Sequence, residues 1–478
     1  MGEPVPISLG LRSNPARERQ AGYARLLNCF AEEQGEDAKV NWIIYGIAGL
    51  AAFGNPLDGG GIRSMIAVGS TLYAIAGRNV YTVTAQGVST RIGGIPTTGP
   101  VYMEINRADP TQIGIVSDGL FYYIDTSTNT LTQIQDADLP APISLSFLDG
   151  YGILPVANSR FYLTGIDDFT TIDGLDEGVC EAYPDEIVRS AVLEREAVFF
   201  GERSIEWHQN TGDADFPLTR AHATEIGCLS GGSVAKVDTK TRKTLIWVAP
   251  DHTVRMMTGY SGQVISTNEI QALIKELHTS GGISQLKGIA WADAGRFYYA
   301  LSCDAWTRVF DSGTNYWHER RSAGLTRWRV AEVCSFANKM IAGDWQTGQL
   351  YIMGDEYFDE AGETLAVEIT TPPVHAFPYR LIFNGLYIDA ATGVGLNTAD
   401  PHGLDPKLMV SWSDDGGASF SAERERSLSR LSESFKRIQP IYRMGKSGQK
   451  GRVYKFRISA PVKKVMMQVS IDFDRIGA

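Results

Sequence analysis

The sequence predicts an all-β protein: a β-propeller of six or seven blades carrying an inserted amphipathic helix, followed by a β-sandwich-like C-terminal domain. Three observations predict it. Short apolar runs broken by turn signals recur about every forty residues, the period of propellers and solenoids. A single stretch, STNEIQALIKELHTSGG (Ser266–Gly282), has helical spacing instead. Beyond TPPV (Thr371–Val374) the runs lengthen and alternate cleanly, as in RLIFNGLYIDA and VKKVMMQVSIDFD, which reads as sandwich strands. The expected organisation is an irregular N-terminal arm over residues 1–55, the propeller over 56–370 with its helix at about 266–280, and the sandwich-like domain over 371–478.

The first 55 residues show little periodicity, and Asn14 to Lys39 reads as an irregular arm. The longest apolar run, WIIYGIAGLAAFG (Trp42–Gly54), has 13 residues and three glycines, too short to span a bilayer. Glu3, Arg12, Arg17, Glu18 and Arg19 flank no apolar core, so no secretory signal is expected and synthesis in a cytoplasm is. From Gly61 to Gly93 the chain reads as four short strands with turns at Gly69-Ser70 and Gly77-Arg78. Similar units start near Val101, Ile143, Ile187, Val234, Leu286 and Val330, giving seven candidates. Each unit alone leaves a sheet face unburied, and radial stacking covers those faces and protects the edges. In the helical stretch Ile270, Leu273, Ile274 and Leu277 fall at i, i+3, i+4 and i+7, Ser266 and Glu269 form a capping box, and glycines stop the helix. Its apolar stripe packs either on its own blade or on a neighbouring subunit, and the pattern leaves both open.

Several motifs suggest chemistry. VSWSDDGGASFS (Val410–Ser421) places Ser413, Asp415, Gly417 and Phe420 at the spacing of an Asp-box, a hairpin signature of sialidases and other propeller glycosidases. Its residues also suit a plain turn: Asp and Ser side chains accept nearby backbone N–H groups, and Gly takes the positive φ. Only one good box is present, outside the predicted propeller, so the turn reading is preferred. GKS (Gly445–Ser447) resembles the end of a phosphate loop, but Pro440 stands where that motif needs glycine. The acidic run GIDDFTTIDGLDEG, with Asp167, Asp168, Asp173, Asp176 and Glu177, lacks EF-hand spacing and reads as a solvated loop, with cation binding left open. No GxSxG and no HExxH occur. Cys29, Cys180, Cys228, Cys303 and Cys334 are far apart, with no CxxC pair and no histidine at ligand spacing, so they read as buried free thiols.

Charge divides the chain. Ser421 to Ala478 carries 14 Lys+Arg against 5 Asp+Glu, a local +9, so the overall −11 leaves −20 on the preceding 420 residues. Such an acidic body is unsuited to gripping phosphate. The basic end suits an acidic partner, and the bland alternative is a solvated face.

The segments ALSCDAWTRVFDSGTNYWHERRS and KMIAGDWQTGQLYIMGDEYFDEAGE, the arm's LLNCFAEEQG, the box VSWSDDGGASFS and the closing RMGKSGQKGRVYKFRISAPVKKVMMQVSIDFD resemble the packaged-DNA stabilisation proteins of short-tailed phages, also called tail hub or nozzle proteins. The likeness runs through nearly the whole chain in order, including the helix at Glu269 to Leu277. It implies a virion tail protein, not an enzyme, with a propeller in each of six ring-forming copies below a head-to-tail adaptor. Their channel retains the packaged genome and later passes it without specific DNA binding. It further implies tail fibre, tailspike or needle proteins as partners, and no catalytic, cofactor-binding or metal-binding residues. The alternative is a carbohydrate-binding or glycan-cleaving propeller, which calls for carboxylates, arginines and aromatics converging at one propeller face.

Overall fold

The computed structural model describes residues 3–16, 18, 21–213, 215–239 and 242–477. Six consecutive four-stranded antiparallel sheets span Ile62–Gly94, Tyr102–Ile134, Ser146–Val179, Ile187–Thr224, Ala235–Val264 and Lys287–Glu319. The seventh takes three strands from Val330–Gly354 and its fourth from the N-terminal strand Gly49–Phe53, paired from Leu350↔Phe53 to Gly354↔Gly49. These sheets are blades one to seven. Innermost strands of neighbouring blades contact one another, Ile187–Leu193 of blade four reaching Lys243–Val248 of blade five, and the ring closes where Val330–Phe336 meets Ile62–Val68. The number of blades is therefore seven.

The second strand of every blade is buried on both faces, which is why these segments read as continuous apolar runs rather than alternating ones. Along blade three Ile153 and Leu163 face blade four, whereas Leu154 and Tyr162 face blade two. Blade four repeats the device with Phe199 on one side and Phe200 on the other. Seven apolar clusters result, one between each pair of neighbouring blades.

The helix spans Asn268–Thr279, and its cap differs from the expected one. Thr267, not Ser266, accepts from the Ile270 N–H, at 3.5 Å. Ser266 instead accepts from Val254 N at 3.0 Å, and Glu269 pairs with Arg308 at 2.6 Å. Ile270 and Ile274 are fully buried among Val237, Ile246, Tyr299 and Trp317, so the helix packs on its own propeller between blades five and six.

The region expected to be an irregular arm contains five short strands, with residues 1–2, 17, 19 and 20 of that expectation lying outside the described residues. Val5–Ile7, Cys29–Glu33 and Trp42–Gly46 join Arg380–Ala390, Ile441–Lys446 and Val465–Ile476 in one sandwich sheet. Arg25–Leu27 lies in the other, beside Val367–Thr370, Val453–Ile458, Lys407–Ser413 and Arg424–Ser427. Sandwich pairing thus begins before residue 371. The apolar run Trp42–Gly54 is split, one strand serving the sandwich and the next closing the propeller. No helix among the described residues is long and apolar enough to cross a membrane.

Propeller and sandwich share a sheet. Leu27 pairs in parallel with Glu319 of blade six, making nine continuous strands. Glu319 is clamped there by Arg25, with Nε 2.8 Å from Oε1, and by Arg308 at 3.5 Å. Burial alone raises its carboxyl, but Arg308 and Arg25 more than offset this and hold it below the usual range.

Candidate functional site

The Asp-box caps the link between the paired strands Lys407–Ser413 and Arg424–Ser427. Asp415 accepts from Ser413 Oγ at 2.6 Å, from Ala418 N at 3.0 Å and from Ser419 N at 3.0 Å, while Ser413 Oγ accepts from Gly417 N at 2.8 Å. Those bonds, the Ser413 hydroxyl first, hold Asp415 far below the usual carboxylate range. Gly417 has φ +89°, and a Cβ there would lie 2.5 Å from the Tyr23 ring. Phe420 packs under Lys455, 4.4 Å from its ring centroid. The Ser413 and Asp415 side chains are both spent on the turn itself.

The other sequence candidates are likewise dispersed. Asp168–Val179, read as a loop, is the long outer strand of blade three. Asp168 accepts from Thr170 N at 2.9 Å, Asp173 from Leu175 N at 2.9 Å, and Glu177 from Arg160 Nε at 2.6 Å and Tyr162 OH at 2.8 Å. Gly445 and Lys446 end a strand, and Ser447 N donates to Leu381 O at 2.8 Å, so no phosphate loop forms. Cys29, Cys180, Cys228 and Cys303 are buried and Cys334 half-buried, all five free.

The propeller axis holds a cavity of about 550 Å³, with Arg63, Glu104, Arg189, Lys236, Lys287 and Glu332 in its wall. Its arginines are committed to backbone: Arg63 donates to Thr97 O and Gly77 O, both at 2.9 Å, and Arg189 to Gly231 O at 2.8 Å and Val234 O at 2.6 Å. Lys287 neutralises Glu332 at 2.8 Å. Enclosure raises the Glu104 carboxyl to about 7 despite Arg189 and Lys236.

The sandwich presents a different kind of surface. Arg430, Arg437, Arg443, Lys446 and Lys450 are exposed, with no ion pair among the described residues. Between them stand Leu431, Phe435 and Tyr442, which are 55, 81 and 55 % exposed. This face therefore combines exposed cations with exposed aromatic and aliphatic side chains.

The comparisons give this surface its context. The family model described as bacteriophage P22 Gp10, beta-propeller, matches residues 28–357, and the one described as bacteriophage P22 Gp10, beta-sandwich, matches residues 366–474. The chain belongs to the phage P22 Gp10 stabilisation family. It is accordingly a phage structural protein, and the Gp10 propeller and sandwich coincide with the two architectures described above. No individual curated protein matches the chain at a significant level. Among solved structures, the WD40 beta propeller domain of Doa1 is 11% identical with a TM-score of 0.44, over 64% of this chain and 97% of that one. The computationally designed Ika8 protein is 13% identical with a TM-score of 0.39, over 72% and 99%. Both likenesses are too distant to add to what the Gp10 match and the strand order establish.

Sequence reading missed one cluster in this Gp10-family propeller, Cys180, Glu206 and His208, the one group of three or more candidate metal-ligating residues brought together among the described residues. The signal was Glu206-x-His208, which a period of two places on one strand face. His208 Nε2 lies 3.2 Å from Glu206 Oε2 and 4.0 Å from Cys180 Sγ. Both contacts fall on one nitrogen. A nucleophile, base and orienter relay uses both ring nitrogens, so the trio is not such a triad.

Proposed function

We propose that this chain is a tail hub or nozzle subunit. Six copies form a ring beneath the head-to-tail adaptor, close the head–tail channel, stabilise the packaged DNA and line part of the conduit through which it is ejected. The observation that carries the reading is the match of both domains, in order, to a phage stabilisation protein.

Physical features support it. A tube through which duplex DNA slides must not hold phosphate, and a body at −20 repels it at short range, within a Debye length of about 8 Å. The basic sandwich, with its unpaired arginines and exposed Phe435 and Tyr442, is suited to an acidic adaptor surface, where complementary potentials orient docking. Tail fibre, tailspike or needle proteins then occupy other faces of the ring. Mass photometry of the chain mixed with its adaptor, followed by imaging of the assembled particle, tests the proposal. A six-copy ring and no retention of free duplex are expected. A chain that stays monomeric beside the adaptor, or a lumen lined by Lys and Arg, overturns it.

A further inference from the structure

The Cys180, Glu206 and His208 cluster has the composition of a metal centre, and it stands apart from the proposed hub role. Cys180 follows the outer strand of blade three directly, at the start of the link into blade four. Glu206 and His208 lie two apart on the third strand of blade four, Ile205–Asn210, so the pleat points both toward blade three. Ile205 and Trp207 point the opposite way, into the core shared with blade five.

Three features favour an ion over a plain polar contact. The first is geometry. The three donor atoms lie within 4.8 Å of one another, with Nε2 to Oε2 at 3.2 Å and Nε2 to Sγ at 4.0 Å. Tetrahedral zinc, with Zn–S of about 2.3 Å and Zn–N or Zn–O of about 2.0–2.2 Å, has ligand-to-ligand edges of roughly 3.4–3.6 Å. Small side-chain rotations close the set.

The second is charge. Glu206 and His208 are 2 and 4 % exposed, and Phe161 and Phe199 stand 5.5 and 5.0 Å from the imidazole centroid. Among the described residues no Lys or Arg comes within ion-pair distance of Glu206; its one partner of that kind is His208. A buried carboxylate without a firm cation is costly. One divalent ion with a carboxylate, a thiolate and a neutral imidazole sums to zero, which suits an apolar surround.

The third is orientation. Ala182 N donates to Glu206 Oε1 at 2.7 Å and leaves Oε2 turned to His208, the kind of outer contact that fixes a ligating carboxylate. The Nε2 lone pair faces the ion only when the proton sits on Nδ1, which is buried without an acceptor, so ion binding has to offset one unpaired N–H.

We propose that Cys180 Sγ, Glu206 Oε2 and His208 Nε2 bind one zinc-class divalent ion, with water in the fourth position, stapling the link between blades three and four. The thiol proton leaves to solvent as the sulfur–metal bond forms. Thiolate and imidazole select zinc over magnesium or calcium, whose shells are oxygen.

The test uses the full-length folded chain, purified without chelator and dialysed against micromolar Zn²⁺ or Co²⁺. Elemental analysis should give about one zinc per chain, and the cobalt form should show tetrahedral d–d bands with a thiolate-to-metal charge-transfer band. Cys180→Ser and His208→Gln should each abolish that charge-transfer band or reduce the bound metal to near zero, and a chelator should lower the melting temperature of the wild-type chain only. Because the cobalt spectrum is read on the wild-type chain, variants that fail to fold do not decide the outcome. A wild-type chain that takes up neither metal, or a cobalt spectrum without a thiolate band, overturns the proposal.

Discussion

Arg452 and Asp414 meet edge to edge at the root of the Asp-box, with Nε to Oδ1 and Nη2 to Oδ2 both 2.8 Å. The guanidinium is 1 % exposed, lies 4.4 Å from the Phe383 ring centroid, and also donates to Met444 O at 2.9 Å and Lys446 O at 3.1 Å. The aspartate beside the motif's own Asp415 therefore ties the box to the sandwich core. Asp414→Ala strands a buried cation and should destabilise the sandwich by about 2–3 kcal/mol. Arg452→Lys should not be tolerated either, since an ammonium cannot replace the fork. Urea midpoints equal to wild type for both variants would refute this.

The box itself is a turn device. Asp415→Ala removes exposed local bonds and should cost about 1–2 kcal/mol. Gly417→Ala should cost more, because it adds backbone strain at φ +89° to a collision with Tyr23. Assays with sialylated and neutral glycans should show no hydrolysis by wild type or either variant. Turnover by wild type that disappears in Asp415→Ala at unchanged fold would return the motif to catalysis.

Glu104 gives a pH signature with a definite sign. Its carboxyl is raised to about 7 in the folded chain from an ordinary 4.5, so the folded state holds a proton that the unfolded state releases across that window. The stability it contributes is complete below pH 4.5 and lost as pH rises through 7. Glu104→Gln should flatten that slope and gain on wild type by up to about 3 kcal/mol as pH rises from 4.5 to 8. The difference in melting temperature between the two chains from pH 4.5 to 8 checks it. A difference that stays constant across the range would show that Glu104 is not enclosed.

Closure of the ring by Gly49–Phe53 makes the N-terminal region part of the propeller. Removing residues 1–53 exposes the edge of Leu350–Gly354, strips Leu50 and Phe53 from two inter-blade cores, and also takes four strands out of the sandwich sheets. The truncated chain should aggregate or melt well below the full one. A soluble truncation with an unchanged melting temperature would show that three strands suffice for blade seven.

What was legible in the sequence follows from how local each interaction is. The blades were visible because each is a set of hairpins whose partners are neighbours in the chain, and the second strands, buried on both sides, advertise themselves as LYAIA or AVFFG. The helix was visible through Ile270 and Ile274, yet its cap was misplaced by one residue, since Ser266 and Thr267 are equivalent as letters and only the Val254 contact distinguishes them. Much of the arm was not legible because Val5–Ile7 pairs with Val469–Ile471 and Arg25–Leu27 with Glu368–Thr370, and short strands with remote partners leave no periodic trace. The acidic run Asp168–Glu177 read as a loop because its polar outward face dominates an edge strand that only Phe169 anchors fully. Cys180 and His208 were 28 positions apart and carried no ligand spacing at all.

The basic face decides whether the sandwich is a docking surface or only solvated. Arg437 and Arg443 form no ion pair among the described residues, and Phe435 beside them is 81 % exposed, so reversing the two to Glu leaves the fold without a lost ion pair. Stability should change by less than about 0.5 kcal/mol, as for other surface substitutions away from packed or bonded features. Binding to the adaptor ring should instead fall steeply, and wild-type binding should weaken with added salt, because exposed complementary charges are screened within a Debye length of about 8 Å at physiological ionic strength. Phe435→Ala separates the two contributions: it should weaken docking without altering the salt dependence, since an apolar contact is not screened. Docking indifferent to the charge reversals, to salt and to Phe435→Ala together would place the adaptor contact on another face of the molecule.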